Sequence, residues 1–302
     1  MDSHTSSTKA ILYAFSANLG IAVAKGIGAF ITGSGSMLAE TIHSLADCGN
    51  QILLFFGMKN SQKPPTKDHP FGFGKSIYFW SFIVAMMLFS LGGIFSAYEG
   101  VKKVQSPEEI SNPVIALIIL GVSIVLESFS LAGAMKEIKI IRLGKSLGEW
   151  IKTTRSAELL VVFAEDAAAI LGLILAFIFV VLTILTGNPI FDAIGSICIG
   201  IILLIIAFFL MIRIQALIIG RSADPELQGF IENEIKKDKN ILEIFNVITL
   251  QMGAQIMLSA KIRMNEKLTI KQACIAINTL EVKIKNKFPE IRWSFIEPDI
   301  KN

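Results

Sequence analysis

His43 and Asp47 stand four positions apart inside a long apolar stretch of the sequence. Residues four apart on a helix lie one turn apart on the same face, so an imidazole nitrogen and a carboxylate oxygen could reach one small cation. A neutral imidazole with a carboxylate suits zinc or another first-row divalent metal. The alternative is a hydrogen bond between polar side chains that packs membrane helices together. The pair alone leaves both interpretations open, although ionisable residues at membrane depth favour a functional role.

Glu165 and Asp166 supply further carboxylates from a second apolar stretch, V-V-F-A-E-D-A-A-A-I-L-G. Neighbouring residues on a helix differ in direction by about 100°, so both face one site only if the cavity is wide or the helix is locally unwound. Asp166 is therefore the preferred metal ligand, and Glu165 is the second candidate. With His43 and Asp47 they would form a four-ligand site between two helices, as zinc prefers. Because this donor set is rich in oxygen, manganese, iron and cobalt stay candidates.

Lys25 and Glu127 are two further charges within apolar stretches, and each is costly if it is alone in hydrocarbon. One interpretation is that they pair with each other. The alternative is that Glu127 lies in a water-filled cavity and relays protons. Asp192, which follows Gly187-Asn188-Pro189, is expected to cap its own helix.

The composition is that of an integral membrane protein. Of 302 residues, 53% are hydrophobic and only 18% are charged, and the mean hydropathy is +0.61. A net charge of +3 gives no reason to expect nucleic acid as a partner. Three cysteines far apart in sequence favour free thiols over a disulfide framework or a zinc motif. The phosphate-binding pattern G-x-x-x-x-G-K-[ST] is absent, which argues against ATP as an energy source.

Six apolar stretches of about 20 residues are long enough to cross a lipid bilayer. They are predicted at 9–33, 38–58, 77–99, 112–134, 157–186 and 190–212. Lysine and arginine concentrate in the loops after the second and fourth stretches. The positive-inside rule then places both termini in the cytoplasm or its topological equivalent, at the inner or plasma membrane if the cell is bacterial. Within 137–155 the basic residues are expected to anchor this topology, with an amphipathic surface helix as the alternative.

The tail has the pattern of a small soluble domain. Helices are predicted at 225–237 and 269–288, and strands at 246–252, 256–264 and 293–296. This order is that of an α+β domain of ferredoxin-like type. The predicted architecture is an all-α six-helix transmembrane domain over 1–220 and a ferredoxin-like cytoplasmic domain over 221–302. A domain this small folds only marginally alone, which favours a second copy of the chain as partner.

Three motifs together resemble the cation diffusion facilitator family of divalent-metal/proton antiporters. They are G-S-G-S-M-L-A-E-T-I-H-S-L-A-D at 33–47, D-H-P-F-G-F-G-K at 68–75, and F-I-E-P near the end of the tail. The stretches F-A-E-D-A-A-A-I-L-G-L-I-L-A and T-G-N-P-I-F-D-A-I-G-S resemble its zinc transporter 9-like branch. The resemblance implies six helices, a ferredoxin-like cytoplasmic domain, a homodimer, and a metal site between the second and fifth helices.

The sequence also departs from the family pattern. Many relatives carry a His/Asp-x-x-x-Asp pair on the fifth helix, where this chain has Val162 and Asp166. Valine cannot bind a metal, so Glu165 is the nearest substitute. The resemblance further implies an interfacial ion pair made by Lys75, for which Asp224 is the expected partner. Relatives often bind metal in the tail through histidines, and because this tail contains none, no strong regulatory zinc site is expected there.

The leading hypothesis is export of a divalent cation, Zn²⁺ first, in exchange for protons and without a prosthetic group. Metal binding needs a neutral imidazole and ionised carboxylates, so metal and protons compete for the same atoms. A membrane metal sensor or scaffold that binds metal without transporting it is the alternative, and a flux measurement separates the two. An intramembrane hydrolase is a third hypothesis, disfavoured because H-E-x-x-H is missing.

Overall fold

The computed structural model describes residues 18–107, 110, 112–142 and 144–301. These residues are mostly helical and end in three strands. The chain divides into two compact units. The first holds the described part of 1–57 together with 79–147 and 158–214, and the second holds 58–78, 148–157 and the tail from 215.

The helices that precede the tail are long. In chain order they are α1 Asn18–Thr32, α2 Gly35–Ser61, α3 Ser76–Met87, α4 Phe95–Gln105, α5 Pro113–Ile141, α6 Leu147–Thr153, α7 Ala157–Thr186 and α8 Ile190–Ile219. A π-helical segment, Leu88–Ile94, joins α3 to α4. The predicted stretch 9–33 begins outside the described residues. The predicted basic segment 137–155 is divided between the end of α5 and the short α6.

Four helical stretches are long and apolar enough to cross a membrane: Ser76–Gln105, Pro113–Ile141, Ala157–Thr186 and Ile190–Ile219. They support an integral membrane protein and coincide with four of the six predicted spans. The described part of α1 is a shorter apolar helix. The helix α2 is 27 residues long, but polar residues such as Glu40, His43 and Asn50, all buried, interrupt its apolar sequence. The count of six spans stays a prediction.

Glycines bring α4 and the π-helical segment into close contact with α8. A Cβ atom on Gly200 would lie 2.5 Å from the backbone nitrogen of Ala97 and 2.8 Å from the carbonyl oxygen of Gly93. A Cβ on Gly100 would lie 2.7 Å from the backbone nitrogen of Ile197. Membrane helices pack closely where small residues let their backbones approach, so these glycines fix the distance between the two helices.

The tail has the predicted order of helix, strand, strand, helix and strand. Its elements are α9 Pro225–Lys236, β1 Ile241–Met252, β2 Gln255–Met264, α10 Ile270–Lys287 and β3 Ile291–Pro298. The central strand β2 is antiparallel to β1 and parallel to β3. Every second residue of β2 is buried, and its apolar face packs with residues such as Ile231 of α9 and Ile284 of α10.

Within the second unit the segment 58–78 packs against the turn between β1 and β2. The backbone N–H of Gly253 donates to the Tyr78 hydroxyl at 3.0 Å, and Gly253 has a φ of +67°. The backbones of Gly74 and Met252 are so close that a Cβ on Gly74 would overlap the Met252 carbonyl. This unit therefore combines the tail with two segments from earlier in the chain. The domains at 1–220 and 221–302 stay predictions.

Candidate metal centre

The structure brings His43 and Asp47 together on α2. His43 is fully buried, and its Nε2 atom lies 3.4 Å from Oδ2 of Asp47. Among the described residues, neither ring nitrogen of His43 nor Oδ1 of Asp47 has a hydrogen-bond partner. Buried polar atoms are nearly always satisfied. A cation bound between these side chains would satisfy Nε2 of His43 and a carboxylate oxygen of Asp47.

The π-helical segment forms the surface next to this pair. A Cβ on Gly92 would lie 3.8 Å from Nδ1 of His43 and 3.3 Å from the side chain of Leu203. Short π-helical turns occur frequently at functional sites. Sequence reasoning missed Gly92, and the only available signal was the Gly-Gly pair at 92 and 93 inside an apolar helix.

The adjacent carboxylates of α7 have different partners. Glu165 is buried and accepts a hydrogen bond from Nδ2 of Asn50 on α2 at 2.5 Å. Asp166 accepts one from the hydroxyl of Ser130 on α5 at 3.0 Å. The two side chains thus diverge, as their difference in direction of about 100° predicts.

The four predicted ligands are not assembled around one point in this conformation. Over residues 18–107, 110, 112–142 and 144–301, no three His, Cys, Asp or Glu side chains form a group that could hold a metal ion. His43 and Asp47 are together, whereas Glu165 and Asp166 are held by an amide and a hydroxyl. The four-ligand site stays a prediction.

Asn50 is a further polar residue of this region that sequence reasoning missed. It lies seven positions after His43 and so projects from the same face of α2. Asn50 is fully buried, and within the described part of the chain its Oδ1 atom has no hydrogen-bond partner. The spacing of His43, Asp47 and Asn50 was the signal in the sequence.

Lys25 of α1 is also fully buried and lies among three oxygen atoms. Its Nζ atom is 2.7 Å from Oγ of Ser44, 3.3 Å from Oε2 of Glu40 and 4.0 Å from Oε1 of Glu127. The pairing of Lys25 with Glu127 is thus present but long, and its closer carboxylate, Glu40, was not predicted. A role of Glu127 in proton relay stays a prediction.

The prediction that Asp192 caps its own helix was wrong. The carboxylate of Asp192 accepts hydrogen bonds from the backbone N–H of Gly35 at 2.6 Å and from Oγ of Ser34 at 2.7 Å, so it caps α2. Asn188 takes the expected place, because its Oδ1 accepts from the backbone N–H of Ile190 at 3.0 Å. Asp192 lies inside the first turn of α8, where its side chain can reach a neighbouring helix.

The predicted interfacial pair lies in the second unit. Lys75 donates to the carbonyl oxygen of Ile218 at 3.4 Å. Asp224 caps α9, accepting from the backbone N–H of Glu226 at 3.1 Å. A Lys75–Asp224 ion pair stays a prediction.

The structure has long apolar helices with buried charged residues, followed by a small α+β tail. These features define an integral membrane protein with ionisable groups at membrane depth. Residues 11–214 match the family described as the cation efflux transmembrane domain. The chain therefore belongs to the cation diffusion facilitator family, as its motifs predicted, and to the zinc transporter 9-like branch of that family.

Several relatives match most of this chain at more than 30% identity. The proton-coupled zinc antiporter SLC30A9, mitochondrial, of Xenopus laevis is 36% identical over 224 residues, which is 74% of this chain and 40% of the relative. Metal tolerance protein C4 of Arabidopsis thaliana is 32% identical over 212 residues, 70% of this chain and 46% of the relative. The chain thus spans less than half the length of these two relatives.

A third relative matches over nearly the whole of both chains. The manganese efflux system protein MneP of Bacillus subtilis is 26% identical over 294 residues, which is 94% of this chain and 93% of that protein.

Proposed function

We propose that this chain is a secondary transporter, rather than an enzyme, which exports a divalent metal cation in exchange for protons. Zn²⁺ is the first candidate substrate, and Mn²⁺, Fe²⁺ and Co²⁺ follow. The observation that carries the proposal is the His43–Asp47 pair within an integral membrane protein of the cation efflux family: Nε2 of the buried His43 lies 3.4 Å from Oδ2 of Asp47, and both ring nitrogens and Oδ1 of Asp47 have no hydrogen-bond partner among the described residues. The similarity of the chain to a zinc antiporter and to a manganese efflux protein supports the proposal.

The proposed metal-bound state adds Asp166 and Glu165 to the α2 pair. To become ligands, Asp166 exchanges its hydrogen bond with Ser130 for a bond to the metal, whereas Glu165 binds through Oε2 and keeps the hydrogen bond that Asn50 donates to its Oε1. Metal binding then draws α2 and α7 together and displaces protons from the ligands, because the ligand atoms bind either metal or protons. Protonation on the far side releases the cation, and Glu127 relays protons between this region and water. Rocking of helices against one another is the usual means of alternating access.

The proposed assembly is a homodimer in the membrane, with protons and the metal ion as its other partners. Each copy has six membrane-spanning helices over 1–220 and a ferredoxin-like cytoplasmic domain over 221–302, with both termini on the cytoplasmic side. A Lys75–Asp224 ion pair contributes to the interface. The small size of the tail supports the homodimer.

Uptake of Zn²⁺ into proteoliposomes under an imposed pH gradient tests the proposal. We expect His43→Ala and Asp166→Ala each to abolish uptake. His69→Ala, which removes an exposed histidine from the segment 58–78, is the matched control and should transport normally. The ligand assignment is wrong if both membrane variants keep wild-type uptake. Metal binding without any flux would favour the sensor or scaffold.

A competition series separates the candidate substrates. Purified wild-type protein and the Glu165→Ala variant are titrated with Zn²⁺, Mn²⁺, Fe²⁺ and Co²⁺. If Glu165 is the fourth ligand, its removal should weaken the binding of every metal, and it should change their order because the donor set loses a hard oxygen.

A further inference from the structure

The environment of Lys25 has the composition of a cation-binding site. Its ammonium lies among oxygens from two helices other than its own, at 2.7 Å from Ser44, 3.3 Å from Glu40 and 4.0 Å from Glu127. Lys25 and Glu40 are fully buried, and Glu127 is 7% exposed. The lysine supplies the cation itself, on a tether from α1.

The oxygen atoms around Lys25 supply more negative charge than one ammonium group needs. Two carboxylates face a single positive charge, and an uncompensated charge is costly at membrane depth. In addition, Oε1 of Glu40 is buried and has no hydrogen-bond partner in the part of the chain that the structure describes. A helix-packing ion pair needs only one carboxylate for each lysine. Two carboxylates and a hydroxyl instead match the charge and donor type of a hard divalent cation.

This cluster lies on the same side of α2 as the candidate metal centre. Successive helical residues turn by about 100°, so Glu40, His43, Ser44 and Asp47 all project within an arc of about 100°. The face of α2 therefore carries two adjacent donor sets. One contains imidazole and is open, and the other contains only oxygen and holds the ammonium.

We propose that Lys25 is a tethered cation occupying a second divalent-cation site, formed by Glu40, Ser44 and Glu127. By filling this site, Lys25 confines the transported ion to the neighbouring His43–Asp47 pair and so determines how many metal ions each copy binds. That consequence for transport rests on the proposed function, whereas the existence of the second site does not.

The test is to count the Mn²⁺ ions bound per chain to the purified protein, by metal analysis and by electron paramagnetic resonance. Mn²⁺ is the probe because an all-oxygen donor set suits it. Lys25→Met keeps much of the side-chain length and removes the charge, and we expect it to bind one more Mn²⁺ per chain than the wild type does. The triple variant Lys25→Met/Glu40→Gln/Glu127→Gln is the control and should bind no more than the wild type. The same stoichiometry for Lys25→Met and the wild type overturns the proposal.

A second variant keeps the proposal testable if Lys25→Met does not fold. Lys25→Met/Glu127→Gln leaves one carboxylate and no ammonium, so the cluster keeps the net charge that it has in the wild type. Glu40 and Ser44 remain, and an amide oxygen replaces one carboxylate, so we expect one additional Mn²⁺ that binds more weakly. If saturating Mn²⁺ gives no additional ion in this variant, the proposal fails.

The same count in a His43→Ala/Asp166→Ala background separates this proposal from the proposed function. Loss of the wild-type ion in that background supports the ligand assignment, and its retention shows that the assignment is wrong. In either case, adding Lys25→Met should increase the count by one. An unchanged count overturns the tethered-cation proposal alone.

Discussion

The carboxylate of Asp192 on α8 accepts a hydrogen bond from the backbone N–H of Gly35 at 2.6 Å, so one membrane helix caps the N-terminus of another. Oγ of Ser34 donates to the same carboxylate at 2.7 Å, and Nζ of Lys103 lies 3.8 Å from it. The N-terminus of a helix carries partial positive charge, which a carboxylate stabilises. Because α2 also carries His43 and Asp47, this cap fixes the candidate metal centre relative to α8.

Replacing Asp192 should therefore destabilise the protein. We expect Asp192→Ala to cost about 1–2 kcal/mol, because it removes the cap of α2 and leaves Lys103 without this charge. Asp192→Asn keeps an accepting oxygen and should cost less. Thermal unfolding in detergent micelles measures the difference. Asn188→Ala, which removes the exposed cap of α8, is the comparison, and an equal loss in both alanine variants would contradict the assignment.

The hydrogen bond from Asn50 to Glu165 predicts an effect on metal affinity. Asn50→Leu leaves a buried carboxylate without the donor that orients it, and removal of such an outer partner typically costs about 10-fold to 100-fold in affinity. We expect the dissociation constant for Zn²⁺ to rise by this factor, measured by competition with a chromophoric chelator. Asn60→Leu changes the same residue type near the C-terminal end of α2 and should leave the constant unchanged. An equal effect of the two substitutions would argue against Asn50 as a positioning residue.

Helical periodicity is enough to predict the parts of the site that lie on one element. The His43–Asp47 pair follows from the spacing of four, because the backbone alone decides which residues share a helix face. The bounds of α7 were predicted at 157–186, where the apolar run ends in polar residues on both sides. The order of helices and strands in the tail was predicted from the change between the helical and the strand periodicity of its apolar residues.

The sequence alone does not show which residues of a second helix pair with those of the first. Glu40 pairs with Lys25, and Asp192 caps α2, because of how α1 and α8 pack beside α2. The start of β1 was missed for a local reason. Register shifts between Ile241 and Glu243, and between Ile244 and Asn246, interrupt the alternation by which a strand is recognised.

A cluster of lysines around Glu234 predicts the pH dependence of the tail. Hydrogen bonds from Lys237 at 2.5 Å and Lys287 at 2.7 Å, with Lys283 at 3.4 Å, lower the pKa of Glu234 from 4.5 to about 2. A lowered pKa means that the folded state favours the ionised carboxylate. Its stabilising contribution is therefore complete above about pH 4.5 and is lost as the pH falls toward about 2.

Hydrogen exchange of α9 and α10 in the whole 302-residue chain measures this contribution. At pH 6, Glu234→Gln should exchange faster than the wild type in both helices, and the difference should disappear progressively between pH 4.5 and about 2. Glu266→Gln makes the same change at an exposed position between β2 and α10, and we expect wild-type exchange throughout. A difference that persists undiminished at pH 2 would show that the lysines do not act through the charge of Glu234.

The close approach of Gly172 on α7 to the carboxylate of Glu40 predicts that substitutions at these two positions are energetically coupled. A Cβ atom at this position would overlap Oε1 of Glu40, so the buried carboxylate beside Lys25 would have to shift. We therefore expect Gly172→Ala to lower the melting temperature, although alanine otherwise favours a helix over glycine by roughly 1 kcal/mol. Gly121→Ala is the matched control, because a Cβ there meets no atom within 4 Å, and it should be neutral or stabilising.

A shorter side chain at position 40 should relieve this overlap. Glu40→Asp withdraws the carboxylate from α7 by one methylene. The double variant Gly172→Ala/Glu40→Asp should therefore be more stable than the sum of the two single losses predicts. Residues in direct contact typically show coupling energies of about 0.5–3 kcal/mol in a double-mutant cycle. Thermal unfolding of the four proteins gives the coupling energy, with Gly121→Ala/Glu40→Asp as the uncoupled reference. If the stability changes of the Gly172 and Glu40 substitutions are strictly additive, the position of the carboxylate does not depend on the space that this glycine provides. In that case α7 has no part in holding Glu40 beside Lys25.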